Sequence, residues 1–265
     1  MNKGSKTQRH ARVKSILSLS VCCLLFFSGC GLDEYYVVSA PTVVYNQPTY
    51  NTTDYSVKYF DFQTNDTAND TSDSSFKYLG TAVYYKIFNN YSTMASAYSA
   101  IVALNSSTTY SAAADKMIDS YGYRELSTKD SGTPSPLIGS ASSNRRIYIR
   151  LMNYLSGNFT AKIIVDWDGQ TDSLSAAGTY VPRRNVSGKY TFDFGRTSSD
   201  ATYSKIPDSS DSDVNYSSSF SDDAKAVWYV DMFAVAVGRD TTYTKYYSKV
   251  LHLGSVAIDS TLTDN

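Results

Sequence analysis

A long and mostly apolar stretch near the C-terminus gives a clear strand signal: residues 226–237 read AVWYVDMFAVAV. A polar turn that includes 238–242 separates it from a second long strand, predicted over 246–258. Valine and aromatic residues favour strands, whereas glycine, aspartate and threonine favour the turn between them. The end of the chain is therefore predicted to be a hairpin of two long β-strands.

More strand-like segments precede this hairpin. They are predicted at 37–44, 57–62, 77–88, 145–155, 161–167 and 189–194. In the third of them, alternate positions share one face, namely Leu79, Thr81, Val83, Tyr85 and Ile87. Pro41 has no N–H to donate, so the first segment is expected at a sheet edge. Several short strands separated by turns are typical of a β-sandwich.

The pattern becomes helical between about 89 and 127. Apolar residues recur there at helical spacing: Tyr91, Met94, Tyr98, Ile101 and Val102. Ser111 precedes the segment AAADKMI and is expected to cap a second helix. Polar loops are predicted at 64–75, 128–144 and 198–223. The fold class predicted is mainly β, an antiparallel β-sandwich that carries a two-helix insertion.

The final hairpin resembles the last hairpin of fibronectin type III modules. The resemblance lies in the tyrosine-containing strand that ends in Ala-Val at 236–237, the polar turn, and the segment YSKV at 247–250. Pro41 and the segment VYYKI at 83–87 also resemble that family. The helical pair and the long polar loops depart from it. The resemblance implies a fibronectin III-like or immunoglobulin-like sandwich over residues 37–265.

The N-terminus has the composition of an export signal. Five basic residues and no acid lie in 2–14, and an apolar run follows at 16–27. This run of about a dozen residues is too short to cross the ~30 Å hydrocarbon core as a helix. It ends in Ser28-Gly29-Cys30, where small residues suit the groove of a signal peptidase.

This order of features resembles the signal peptidase II lipobox of bacterial lipoproteins, including the looser spirochaetal form, because Phe27 replaces the usual leucine. The resemblance implies that residues 1–29 are removed, that Cys30 is acylated, and that 30–36 form a tether. Two or more acyl chains anchor a protein stably to a membrane. An aspartate directly after the acylated cysteine would resemble an inner-membrane retention signal, but this chain has Gly31 at that position. We therefore expect a lipid-anchored envelope protein at the outer membrane, either on its periplasmic face or at the cell surface.

Charge and composition exclude several functions. The whole chain has a net charge of −1, and loss of the five basic residues in 1–29 would leave about −6. Such a surface repels nucleic acid, so no nucleic-acid partner is expected. Cys30 would be the remaining cysteine and His252 the remaining histidine. Disulfides and zinc sites built from several cysteines or histidines are then excluded, and a Ser-His-Asp triad would need His252.

One turn resembles a cation-binding loop. Asp166, Asp168 and Asp172 surround the turn that contains Gly169. An EF-hand requires a closing glutamate at the twelfth position, and residue 177 is alanine. The favoured interpretation is a hairpin turn, in which the Asp-Gly dipeptide is common. Cation binding by the three aspartates stays an open alternative. No metal and no cofactor are expected.

No catalytic motif is found. The acidic clusters at 209–213 and 222–223 are interpreted as solvated loops, and His252 as a structural strand residue. The chain has two glutamates, Glu34 and Glu125, and nothing in the sequence selects a carboxylate pair of the kind that glycosidases use. No catalytic residue is therefore assigned, and the protein is expected not to be an enzyme.

The chain holds 24 tyrosines, an unusually large number. Tyr84, Tyr148 and Tyr154 fall on faces opposite the stricter apolar sets. Two interpretations stay open: these side chains bind a glycan or protein partner, or they pack beneath the inserted helices.

The function expected from the sequence is a non-catalytic, adhesin-like binding or structural module held at the membrane by Cys30. One alternative is a periplasmic or surface hydrolase with an aspartate-based site. The other is a protein that binds a lipid or small molecule, with a cavity of at least ~300 Å³ between the sandwich and the helices.

Overall fold

Two β-sheets packed face to face form the body of the protein. The computed structural model describes residues 36–71, 73–128, 136–154, 159–169, 179–186, 190–194, 206–218 and 227–259. The strands of the first sheet, in spatial order, are Val43–Asn46 (β1), Phe60–Gln63 (β2), Arg146–Arg150 (β7), Lys162–Val165 (β8) and Thr179–Tyr180 (β9). Each of its neighbouring pairs is antiparallel.

The second sheet is built on two long antiparallel strands, Phe76–Phe88 (β3) and Val227–Asp240 (β12). The other strands in it are Arg124–Glu125 (β4), Ile138–Gly139 (β6), Val214–Asn215 (β11), Lys245–Tyr247 (β13) and Leu251–Asp259 (β14). Within the described residues, β11 is the strand that runs parallel to its neighbour, β3. A separate two-stranded sheet pairs Ser127–Thr128 (β5) with Pro182–Arg183 (β10).

The main helices lie in the insertion between β3 and β4. They are Tyr91–Ala103 (α2) and Ala112–Asp115 (α3), which continues as a π-helical turn over Lys116–Ser120. A single helical turn, Asp66–Asn69 (α1), lies earlier, and short 3₁₀ turns occupy Tyr55–Val57 and Leu104–Ser106. None of the described helices has the length and apolar character needed to cross a membrane.

In the described part of the chain, two apolar cores lie on opposite faces of the second sheet. The first core lies between the sheets and takes residues from both, among them Phe60, Ile147, Val83, Met232 and Val256. The second core lies between the other face of β3 and β12 and the inserted helices, and includes Tyr84, Phe233, Met94, Ile101 and Met117. The molecule is therefore a sandwich with a third, helical layer.

This third layer explains the composition of β12. A strand with one solvated face alternates apolar and polar residues, whereas a strand covered on both faces reads as a nearly continuous apolar run. Val230 and Met232 face the sandwich core, and Phe233 and Val235 face the helices. The mainly β sandwich with a helical insertion, predicted from the sequence, is confirmed.

The two helices differ in how they begin. The Asn90 side chain accepts a hydrogen bond from the backbone N–H of Thr93 at 2.9 Å, which satisfies one free donor of α2. Ser111 was predicted to cap the second helix, and this is wrong: its backbone is already helical and its side chain makes no cap bond. The three alanines that begin α3 supply helix propensity instead.

Several predicted segments differ from the structure. Of the strand predicted at 37–44, only the last two residues lie in a strand, β1. The loop predicted at 128–144 contains β6. Residues 190–194 form no strand, although Phe192 and Phe194 are buried in the sandwich core. The strand predicted over 246–258 is divided into β13 and β14. Leu79 does not share a face with Val83, because an irregularity at the positive-φ residue Gly80 turns it towards the helical core.

The predicted loop 64–75 is partly buried. It contains α1, and the side chains of Thr64, Asp66 and Asn69 are almost fully buried. Thr64 donates its hydroxyl to Asp66, and Arg145 forms an ion pair with the same carboxylate at 3.4 Å. Because these polar groups bond to one another, the segment packs against the sheet and is not fully solvated.

Candidate functional site

Several of the residues singled out from the sequence lie outside the described residues, namely Cys30, Glu34, Asp172 and the acidic cluster 222–223. Asp166 and Asp168 are exposed at the turn after β8, where Asp166 has a positive φ of 67°. Among the described residues, no group of three or more His, Cys, Asp or Glu side chains could hold a metal ion.

A cavity of about 450 Å³ lies at the boundary between the sandwich and the helical layer. The segment 47–51 forms one side of it, α2 forms another, and residues of β12 and β14 form the floor. Its volume falls within the range of sites that bind small organic molecules. The side chains that define its chemistry are Asp231, His252, Tyr50, Tyr91 and Tyr98.

Asp231 and His252 form a hydrogen-bonded pair at the floor. His252 Nε2 lies 2.7 Å from Asp231 Oδ1, and the Tyr123 hydroxyl donates to Asp231 Oδ2 at 2.6 Å. The Asp231 side chain is 1% exposed, whereas that of His252 is 18% exposed. Burial and the adjacent Asp231 carboxylate raise the pKa of Tyr123 well above its usual value, so this phenol stays a hydrogen-bond donor.

Gln47 determines the tautomer of His252. The Gln47 amide nitrogen lies 3.1 Å from the backbone carbonyl of His252, which can only accept, so this nitrogen is the donor. The same nitrogen lies 3.2 Å from Nδ1 of the imidazole, which must then accept. The proton therefore resides on Nε2 and is donated to Asp231.

A β-bulge places this pair on the helical side of the sheet. Met232 pairs with Gly254 and Phe233 with His252, so Leu253 is an extra residue in β14. Without it, alternation would turn His252 and Ser255 to opposite faces. With it, both face the helices, while Leu253 enters the sandwich core.

The segment 47–51 is held closely against β14. The backbone N–H of Ser255 donates to the Pro48 carbonyl at 2.9 Å. Gly254 has a φ of +115°, and a Cβ there would lie 2.4 Å from the Pro48 oxygen. Glycine is thus required both by the backbone conformation and by the close approach.

Tyrosine rings form the wall of the cavity. The rings of Tyr50 and Tyr91 lie with centroids 3.8 Å apart, and Tyr229 packs edge-on against both. On the other side, the Tyr98 ring covers the His252 imidazole at 4.2 Å. The segment 47–51, α2 and β14 therefore meet through aromatic contacts around the opening.

A second buried polar cluster lies around Arg184. Arg184 is fully buried and binds Asp213 through Nε at 2.9 Å and Nη2 at 2.7 Å, and Asp211 at 2.8 Å. Burial lowers the pKa of the guanidinium, but the bonds to the two carboxylates outweigh it and raise the pKa. The interpretation of 209–213 as a solvated cluster is therefore wrong for Asp211 and Asp213, because an arginine distant in sequence neutralises them.

The sequence left open the roles of three tyrosines, and the structure places them in different environments. Tyr84 packs beneath the inserted helices, as one of the two interpretations predicts. Tyr154 belongs to the sandwich core. Tyr148 lies on the outer side of the first sheet, but it is only 1% exposed and stacks on Tyr59 with centroids 4.6 Å apart. None of the three presents an open ring surface.

Sequence reasoning missed Asp231. The available signal was a single acid inside the apolar stretch 226–237, because a buried carboxylate needs hydrogen-bond partners. The interpretation of His252 as structural also missed its position beside a cavity, which depends on the bulge at Leu253 and on the approach of Gln47.

No protein-family profile, no curated protein sequence and no solved structure matches the chain.

Proposed function

We propose that this chain is a lipid-anchored envelope protein that binds a small molecule without transforming it. The cavity of about 450 Å³ between the segment 47–51, α2 and the Asp231–His252 floor carries this proposal. It exceeds the ~300 Å³ that small-ligand sites require, and it combines an apolar, aromatic wall with a few polar groups that converge on the floor. The proposal thus takes up the small-molecule alternative raised from the sequence in place of the adhesin-like role.

The hydrogen bonds of His252 support a non-catalytic role. A histidine that acts as a general base needs a nitrogen facing the nucleophile or the substrate. Here Nε2 is engaged by Asp231 and Nδ1 by the Gln47 amide, so both ring nitrogens already have partners. The imidazole therefore fixes the floor of the cavity and links Asp231 to the segment 47–51.

The membrane anchor in this proposal rests on the leader sequence. The basic segment, the short apolar run and Cys30 in the order of a lipobox support export and acylation. The mature chain would then bind its ligand at the envelope, and the outer membrane is the proposed location. A hydrolytic site built on aspartates receives no comparable support, since the buried carboxylates of the described residues are engaged in ion pairs or hydrogen bonds.

A variant that fills the cavity tests the proposal. Ala95 lines the cavity on α2, and Ala95→Phe would place a ring in the space that a ligand occupies. We expect a ligand-observed NMR screen of small cationic, neutral and anionic molecules to give hits with the wild type that are lost with Ala95→Phe. At least about tenfold weaker binding is expected, because the aromatic side chain excludes the ligand sterically.

Ser96→Phe is the matched control, because Ser96 is the next residue of α2 and is exposed outside the cavity. It adds the same ring to the same helix and should retain the hits. Equal thermal unfolding temperatures of the two variants would show that both are folded. The absence of hits with the wild type, or hits that survive Ala95→Phe, would contradict the proposal.

A further inference from the structure

The buried carboxylates of this protein differ in how their charge is neutralised. Five aspartates are buried in the described part of the chain. Four accept from an arginine: Asp61 from Arg146, Asp66 from Arg145, and Asp211 and Asp213 from Arg184. Asp231 instead accepts from the Tyr123 phenol and from the His252 imidazole. Asp231 is therefore the one of these five carboxylates that no arginine of the described residues contacts.

Few charged groups line the cavity. The described residues that line it include no lysine and no arginine, and Asp231 is the one acid among them. A buried charge is costly unless an opposite charge lies near it, and electrostatic attraction is strong where water is partly excluded. An acid without a lysine or arginine opposite it therefore favours a cation in the cavity over an anion.

The wall suits a cation as well. Tyr50, Tyr91 and Tyr98 line the cavity. Tyr50 and Tyr91 pack against each other and Tyr98 packs against His252, so an ammonium group would be attracted by the ring faces that these contacts leave. This fold already uses the same interaction internally. The Lys58 ammonium lies 5.0 Å from the ring centroid of Tyr55 and 5.6 Å from that of Tyr154.

We infer that the cavity binds an organic cation of the alkylammonium class, with its charge held between the tyrosine rings and the Asp231 carboxylate. The inference rests on the proposed function and specifies the ligand class. Because Asp231 is almost fully buried, it acts on the cation mainly through space. The rings provide the direct contacts, and the apolar Met94 completes the wall.

Two ligands of equal shape test the inference. Choline carries a trimethylammonium group, and 3,3-dimethyl-1-butanol replaces it with a neutral tert-butyl group of the same shape. We expect calorimetric titration of the full chain in detergent to show choline binding at least about tenfold more tightly than the alcohol. The difference isolates the charge, since size and hydroxyl group are shared, and cation–π contacts together with a nearby carboxylate are of that magnitude.

A substitution in the wall of the cavity, rather than in its floor, tests the same inference and is expected to leave the protein folded. Tyr91 is partly exposed at the first position of α2, and Tyr91→Leu removes one ring but keeps an apolar side chain. Choline binding is expected to weaken about three- to tenfold, and binding of the neutral alcohol to change by less than about twofold. A loss shared equally by both ligands would indicate a role of Tyr91 in shape alone and would overturn the cation inference.

The remaining outcomes separate this inference from the proposed function. Equal binding of both ligands would overturn the cation class and leave a small-molecule site in place. Failure of both, with other hits from the NMR screen that Ala95→Phe abolishes, would overturn the cation class alone. Failure of both together with an empty screen would overturn the proposed function itself.

Discussion

Replacing Asp213 by asparagine is expected to lower the free energy of unfolding by about 3–5 kcal/mol. Asp213 binds the fully buried Arg184 through both carboxylate oxygens and also accepts the Tyr85 hydroxyl at 2.7 Å. The asparagine side chain would remove the charge and direct an N–H group at the guanidinium or at the phenol. Single domains are stable by only about 5–15 kcal/mol, so most of the protein would unfold under mild denaturant. Urea unfolding followed by tryptophan fluorescence measures the change.

Asp208→Asn is the matched control for this substitution. Asp208 lies in the same segment but is exposed, and its carboxylate accepts from the backbone N–H and the hydroxyl of Ser210. An asparagine carbonyl oxygen can still accept these bonds, so the loss should stay below about 1 kcal/mol. Equal effects of Asp213→Asn and Asp208→Asn would contradict the description of the Arg184 cluster as a buried, mutually neutralising set.

Cys30→Ala is expected to abolish lipidation completely. The thiol of Cys30 is the group that the lipobox resemblance assigns to acylation, and alanine cannot form the thioether. Cells grown with labelled palmitate should incorporate label into the wild type and none into the variant, and the variant should leave the membrane fraction. The effect is large because each methylene group buried in the membrane contributes ~0.8 kcal/mol to the free energy of anchoring.

The double variant Cys22→Ala, Cys23→Ala is the control for this experiment. Both cysteines lie in the apolar run that precedes the predicted cleavage point, so their loss should leave labelling unchanged. Label in Cys30→Ala equal to that in the wild type would show that another residue is acylated, and would contradict the lipoprotein interpretation.

The sequence predicted the sandwich because its strongest signals are local. The segments 77–88 and 226–237 correspond closely to β3 and β12, and the helical spacing from Tyr91 to Val102 corresponds to α2. Periodicity depends only on residues near in the chain, and these elements also bury the apolar faces that the pattern marks. The predictions at 189–194 and Ser111 are wrong because tertiary contacts, rather than local propensity, determine the backbone there.

The cavity could not be predicted in the same way, because it depends on contacts between distant residues. Gln47 and His252 are 205 positions apart, and Tyr123 and Asp231 are 108 apart. The bulge at Leu253 decides which face His252 occupies, and no periodic pattern specifies a single extra residue. The same limitation applies to Arg184, whose charge neutralises aspartates that read as part of a solvated loop.

The most direct test of the central claim is an NMR measurement on His252 itself. The chain has two histidines, so His252→Gln assigns the imidazole signals in a long-range proton–nitrogen spectrum of the ¹⁵N-labelled protein. We predict a single neutral tautomer with the proton on Nε2, and a shift of both nitrogens when a molecule that binds the wild type but not Ala95→Phe is added. A mixture of tautomers that no such ligand perturbs would contradict the assignment of Asp231 and His252 to the floor of a binding cavity.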